Sequence, residues 1–173
     1  VTERPPAPPV RIRAAGPSDR DALAECEDAL ARSGNGSFAH RLDIPHGEDY
    51  FCVVAVCAGT ILGYCSAGGS RDDDRKSFGE IYDLGIPAPG GDGARPDVAA
   101  LLLDAVLEVC RDARYGGVIA WVPPSDASVG AALEASGFAP GPPVTTSASG
   151  ARRWECVFAS PVVRSDTQQV HAR

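Results

Sequence analysis

The stretch from Pro96 to Pro124 limits what this chain can fold into more than any other. Pro96 to Arg111 reads as a helix whose only polar stripe is Asp104, Glu108, Arg111 and Asp112. A stripe that narrow means the helix is covered on most of its circumference, as for one lying across a sheet. Pro96 suits the first helical position, Asp97 complements the positive end of the helix, and the interior is rich in Ala and Leu. Val118 to Val122 (VIAWV) follows with no polar residue, which fits a central strand buried on both faces, and Pro123-Pro124 ends it. A covered helix joined to a covered strand belongs to a layered α/β chain.

The rest of the chain supplies the other layers. Tyr50 to Cys57 and Thr60 to Ser66 are two β-rich runs separated by Ala58-Gly59, the length of a tight hairpin loop. Val10 to Ala14 alternates apolar and polar residues as a half-buried strand at or near an edge does. Ser18 and Asp21 form an N-cap signature ahead of Leu23, Cys26 and Leu30 at helical spacing, and this helix ends near Ser33-Gly34. A short helix over 37–42 is expected next. Gly69 to Ser77, which contains RDDDRK, should be a solvated loop whose charges cancel locally, and Gly79 to Ile86 a further strand. Ser125 or Asp126 caps a last helix running to Ser136, stopped by Gly137. Arg153 to Ala159 reads as the final strand, paired with Val144 to Ser147.

At 173 residues and 44% hydrophobic content, one domain over 10–159 is expected, with a Pro-rich arm over 1–9 and a loose tail over 160–173. The net charge of −7 disfavours a nucleic-acid partner, which would need a basic face to neutralise phosphates. No apolar run approaches the ~18 residues that span a bilayer, and VTERPPAPPV lacks an apolar signal core, so a cytoplasmic protein is expected. Arg far outnumbers Lys, with Lys76 the only lysine, as in GC-rich bacterial coding. The six cysteines include no C-x-x-C pair and sit mostly in apolar runs, which reads as small buried hydrophobes and not as a metal site.

The element order, with GEIYDLGIP at 79–87, LLLDAVLEVCRDARYGGVIAWV at 101–122 and DASVGAALEASGF at 126–138, resembles the GNAT superfamily of acetyl-CoA-dependent N-acetyltransferases over Val10 to Ala159. The resemblance implies a central mixed, mostly antiparallel sheet flanked by helices. Its fourth and fifth strands would be parallel and splayed around the pantetheine arm. It also implies acetyl-CoA or another acyl-CoA as substrate, and as acceptor an amine of a small molecule or a protein N-terminus. A homodimer is compatible with it.

The family's pyrophosphate loop reads [QR]-x-x-G-x-[GA] ahead of the third helix, whose free N–H groups and dipole favour phosphate. Here the chain reads IPAPGGDGARPDVAALLL. Aligned from the helix, Ala94, Asp97 and Ala99 take the pattern positions; aligned from the strand, Gly90, Gly91, Asp92 and Gly93 fill the loop. Arg95 is the one cation, and Asp92 and Asp97 would each cost about 3 kcal/mol at ~6 Å from a phosphate and an effective dielectric of ~20. Gly91, Gly93, Ala94, Arg95 and Ala99 are thus the cofactor-binding candidates in this loop and helix start. Leu84 and Ile86 line the fourth strand, and Asp126 stands where the family often has asparagine.

Aminolysis of a thioester needs a proton acceptor for the amine, a polarised carbonyl and a proton donor to the sulfur. Glu80 matches the glutamate that acts as base in the histone-acetyltransferase branch of the family, with a pairing to Arg75 as its structural alternative. The backbone N–H near Ile86 would polarise the carbonyl. The family's donor tyrosine falls on Leu133, leaving Tyr82 or Tyr115 as substitutes. Strict alternation puts Asp83 on the opposite face from Glu80 and Tyr82. His40 and His46 fall in the region of the acceptor lip, and Glu25, Glu27 and Asp28 could attract a cationic acceptor. Two other functions fit the same residues: a catalytically silent GNAT-like binding module, and a scaffold repurposed for other chemistry on a small metabolite.

Overall fold

A seven-stranded sheet in the order β1-β2-β3-β4-β5-β7-β6 organises the computed structural model, which describes residues 8–33, 49–87, 98–124, 126–141 and 150–159. The strands are β1 (Arg11–Ala14), β2 (Phe51–Cys57), β3 (Thr60–Gly69), β4 (Gly79–Gly85), β5 (Gly117–Val122), β6 (Ala139–Pro140) and β7 (Arg152–Val157). Every neighbouring pair is antiparallel except β4 and β5. Three helices, α1 (Arg20–Ser33), α2 (Val98–Asp112) and α3 (Ala127–Ala135), complete the mixed α/β arrangement that the sequence implied. No described helix is long and apolar enough to cross a membrane.

Local chemistry explains the boundaries. Ala58 and Gly59 both take positive φ, 50° and 84°, which is the backbone twist that a two-residue hairpin between β2 and β3 requires. Asp126 caps α3 by accepting the Val129 N–H, and Gly137, at φ 87°, ends it as Phe138 N–H returns to the Leu133 carbonyl. One turn of 3₁₀ helix, Pro17–Asp19, precedes α1, and Asp19 accepts from the Gly16 N–H while holding the Arg13 guanidinium. That pairing holds the Asp19 carboxyl well below the usual carboxylate range.

The helices divide between the two faces of the sheet. α2 lies across one face and buries Val98, Ala99, Leu102, Leu103, Val106, Leu107 and Cys110, so its apolar circumference is used as the narrow polar stripe required. Leu102, Leu103 and Val106 are fully buried, each worth about 1.5–3 kcal/mol of apolar burial. α1 covers part of the other face with Leu23, Cys26 and Leu30 packed on Val54 and Tyr64. All six cysteines are unpaired, and Cys26, Cys65 and Cys110 are buried among apolar side chains.

Two expectations change, and two others fall outside the described residues. Ala139–Pro140 pairs with β7, a two-residue strand too short to show a pattern; Val144 to Ser147 lies outside the described residues, as does the helix expected over 37–42. The 70–76 loop is not simply solvated, because Arg75 reaches Glu155 and Arg153 reaches Asp72 and Asp74, tying the loop to β7. Asp83, finally, does not point away from Glu80. In the β3–β4 register Ala67 pairs with Ile81 and Ser66 with Asp83, leaving Tyr82 as the extra residue of a β-bulge. Ile81 and Leu84 both face α2, whereas Glu80 opposite Gly68 and Asp83 opposite Ser66 share the other face.

Candidate active site

The site forms where β4 and β5 part. Their parallel pairing spans only Gly79, Glu80 and Ile81 against Val118, Ile119 and Ala120, and stops beyond them. The bulge at Tyr82 turns β4 at that point, and Pro123 prevents β5 from continuing. A narrow slit opens there, with Tyr82, Asp83 and Leu84 on one wall, Trp121 and Val122 on the other, and Val129 and Leu133 of α3 closing one side. It is narrow and partly open to solvent, with about 260 Å3 of space not filled by atoms, open solvent included.

Three polar side chains of β4 lie on the face away from α2, each with a different environment. Glu80 is 3% exposed. Its Oε2 accepts the Arg71 backbone N–H at 2.8 Å and the Ser70 hydroxyl at 3.5 Å, and its Oε1 accepts the Arg71 guanidinium at 2.7 and 3.2 Å. The partner is therefore Arg71 rather than Arg75, which turns instead to Asp74 and Glu155. Both oxygens of Glu80 are occupied by donors, so the residue matched to the family's base is not a free acceptor.

Tyr82 is half-buried. Its ring stacks parallel to Tyr50 at a centroid separation of 6.2 Å, Arg71 lies 4.6 Å over it, and its hydroxyl donates to the Gly69 carbonyl. Burial raises the Tyr82 phenol above its ordinary value, with the Glu80 charge adding to this and Arg71 opposing it. A Cβ at Gly68 would lie 2.9 Å from the Tyr82 hydroxyl oxygen, so a larger residue there would push the ring aside.

Asp83 is 2% exposed. The Tyr64 hydroxyl donates to its Oδ2 at 2.6 Å, while its Oδ1 is buried with no hydrogen-bond partner among the described residues. Burial pushes this carboxyl up to about 7 and the nearby Glu27 charge adds to the rise; the Tyr64 hydrogen bond and the Leu84 N–H oppose it. The sequence contained no signal for this pairing, since both the bulge and the Tyr64 contact depend on strand register.

The remaining candidates are placed as follows. The Leu84 side chain packs into the core against α2, which leaves only its backbone for a ligand, and Ile86 is half-buried just past the strand end. Ala99 is buried in the first turn of α2, and Asp126 is occupied as the cap of α3, also accepting the Ser128 hydroxyl at 3.0 Å. Gly91, Gly93, Ala94 and Arg95 lie outside the described residues, with Asp92, Asp97, His40 and His46. Leu133, the position where the resemblance expected a donor tyrosine, is 1% exposed and forms an apolar part of the slit wall. Tyr115 stands beside Gly79 and Cys110, at the paired end of β4 and away from the slit. On α1, Glu25 and Asp28 are exposed and Glu27 half-buried. No cluster of His, Cys, Asp and Glu among the described residues could hold a metal ion.

No protein-family model and no curated protein sequence matches the chain. Solved structures do. The GNAT domain of S. lividans PAT superimposes with a TM-score of 0.66 at 16% identity, over 86% of this chain and 90% of that one. The ribosomal-protein-S18-alanine N-acetyltransferase from Escherichia coli gives 0.66 at 14% identity, over 90% and 98%. The PaiA N-acetyltransferase from Thermoplasma acidophilum, solved with coenzyme A, gives 0.65 at 12% identity, over 87% and 99%.

Proposed function

Since the chain has the fold of the GNAT acetyltransferases, we propose that it is an acyl-CoA-dependent N-acyltransferase, moving an acetyl or other acyl group from a coenzyme A thioester to an amine by direct attack. The acceptor is an amine of a small molecule or a protein N-terminus, and the reaction takes place in the cytoplasm of a bacterium. The observation that carries this reading is the parting of β4 and β5 after Ile81 and Ala120 into a slit walled by both strands and α3. Parallel strands normally keep pairing, so a gap between them exposes backbone groups to a ligand that supplies its own amides, as pantetheine does. Coenzyme A bound to a relative of this fold, and alanine N-acetyltransferase activity in the name of another, support the same assignment.

In this reading the backbone of Leu84 and Ile86 orients the thioester. Ala99, at the start of α2, and the 88–97 segment with Gly91, Gly93, Ala94 and Arg95 receive the pyrophosphate, and Asp126 holds α3 against the slit. Tyr82, whose ring borders the slit, turns its hydroxyl from Gly69 to the leaving sulfur. Glu80 holds Arg71 over that ring.

The test is ligand binding followed by transfer. Acetyl-CoA at ~100 times its dissociation constant adds about 2.7 kcal/mol to stability and raises Tm measurably. Radiolabelled acetyl should then pass to an amine panel. No Tm shift at ~1 mM acetyl-CoA sinks the assignment. A silent binding module is the second reading, favoured by the buried Leu133 and the occupied Glu80; a shift without transfer to any amine selects it.

A further inference from the structure

A buried carboxyl with one oxygen unclaimed stands on the wall of the slit, and the acyl-transfer reading gives it no role. Asp83 Oδ1 makes no well-formed hydrogen bond among the described residues, with the adjacent Leu84 N–H near the carboxyl, while Tyr64 fixes Oδ2. Buried polar atoms are paired in the great majority of cases, so an orphaned carboxylate oxygen beside a gap requires a reason. The Tyr82 bulge supplies part of it: without that extra residue Asp83 would face α2 and the apolar core. The chain thus spends an irregularity of the strand to place a carboxyl next to Tyr82, on the same face.

We propose that Asp83, on the wall of the slit, is the base that takes the proton from the incoming amine, and that Tyr64 is the residue that positions it. This rests on the acyl-transfer reading above. An ammonium acceptor gives one proton to Asp83 Oδ1 and becomes a neutral amine. Its nitrogen attacks the thioester carbonyl, the C–N bond forms, and the C–S bond breaks with its electron pair leaving on sulfur. The second nitrogen proton balances the one that Tyr82 supplies to sulfur, and Asp83 returns its own to solvent. Glu80 cannot serve in this way while the Arg71 and Ser70 donors occupy both its oxygens.

The surroundings of Asp83 suit the role. The groups facing it are Glu27 from α1, Tyr50 and Cys52 from β2 and the segment before it, and Tyr64 from β3, with Cys65 acting through the sheet. None of these is a cation, and burial outweighs the Tyr64 and Leu84 donors that favour the charged form, which leaves the carboxyl titrating near neutrality. A base works best when its proton affinity lies near the working pH.

The experiment compares kcat/KM against pH for the wild type, Asp83→Asn and Tyr64→Phe, with acetyl-CoA and the best amine of the panel, alongside acetyl-CoA thermal shifts for all three. The wild type should show an acidic limb near pH 7. Asp83→Asn should lose about 10²–10⁴-fold in kcat and lose the limb, with its acetyl-CoA shift intact. Tyr64→Phe should stay active with the limb moved up by about one pH unit, because the donor that favours the charged carboxylate is gone. Should Asp83→Asn not fold, the Tyr64→Phe limb decides. Asp83→Asn within threefold of the wild type, or an unmoved limb in Tyr64→Phe, overturns the proposal and leaves the acyltransferase standing. A wild type that neither binds acetyl-CoA nor acylates any amine overturns both.

Discussion

Arg71 holds Glu80 from two directions, its backbone N–H reaching Oε2 at 2.8 Å and its guanidinium reaching Oε1 at 2.7 Å. The same guanidinium lies over the Tyr82 ring, so one side chain ties the β3–β4 loop to both Glu80 and Tyr82. Glu80 is buried, but the Arg71 side chain is 52% exposed, which screens the pair. Arg71→Ala should therefore cost about 1–2 kcal/mol, below the ~3–5 kcal/mol of a fully buried pair broken on one side. Glu80→Gln added to Arg71→Ala should recover part of the loss, because the stranded charge goes with it. Urea unfolding of the two single variants and the double variant measures the coupling.

The Asp83 carboxyl makes stability fall as pH rises, the reverse of the usual carboxylate. Its folded value of about 7 lies above the ordinary value of 3.8, so between these the folded state holds a proton that the unfolded state has released. Stability is lost across that window and levels off above pH 7. At ~1.4 kcal/mol per pH unit the full effect is on the order of 4 kcal/mol. Asp83→Asn abolishes the term, so its Tm should exceed that of the wild type by more at pH 8 than at pH 5. A parallel pair of Tm–pH curves would show that Asp83 is not protonated in the fold.

Gly85 opposes Tyr64 in the β3–β4 ladder, and it must remain glycine for that ring to reach Asp83. A Cβ at position 85 would lie 2.3 Å from Tyr64 Cε1 and 2.9 Å from Leu30 Cδ1, inside the contact between α1 and the sheet. Gly85→Ala forces Tyr64 aside, costing about 1–3 kcal/mol by overpacking. It should also reproduce the pH effect of Tyr64→Phe, since the hydroxyl loses its aim at Oδ2. Denaturant melts together with a pH–rate profile check both effects in one variant.

Long, periodic features were legible in the sequence and register was not. The α2 stripe, the VIAWV strand, the Ala58-Gly59 turn and the Gly137 stop depend on neighbours within a few residues, and each stands as read. The Tyr82 bulge depends on how β3 aligns with β4, so alternation put Asp83 on the wrong face. The ties of Arg75 to Glu155 and Arg153 to Asp72 link residues about 80 apart in the chain, and no local pattern of RDDDRK announces them. Glu80 stood out as a site candidate in the GEIYDLGIP segment, whereas Arg71, its partner in the structure, looked like one more loop charge.

Leu133 closes the slit from the α3 side, fully buried against the residues that α2 covers. Its side chain is apolar, and Tyr82 carries the only hydroxyl on the slit wall among the described residues. Leu133→Ala should cost about 2–5 kcal/mol through the cavity it leaves, and the added room should favour bulkier acyl groups over acetyl. Leu133→Tyr adds a ring at a fully buried position, so it should destabilise by about 1–3 kcal/mol unless the ring turns into the slit. In that case the thermal shift with acetyl-CoA should shrink while the fold survives. Equal shifts in wild type and Leu133→Tyr would place the thioester away from α3 and remove Leu133 from the site.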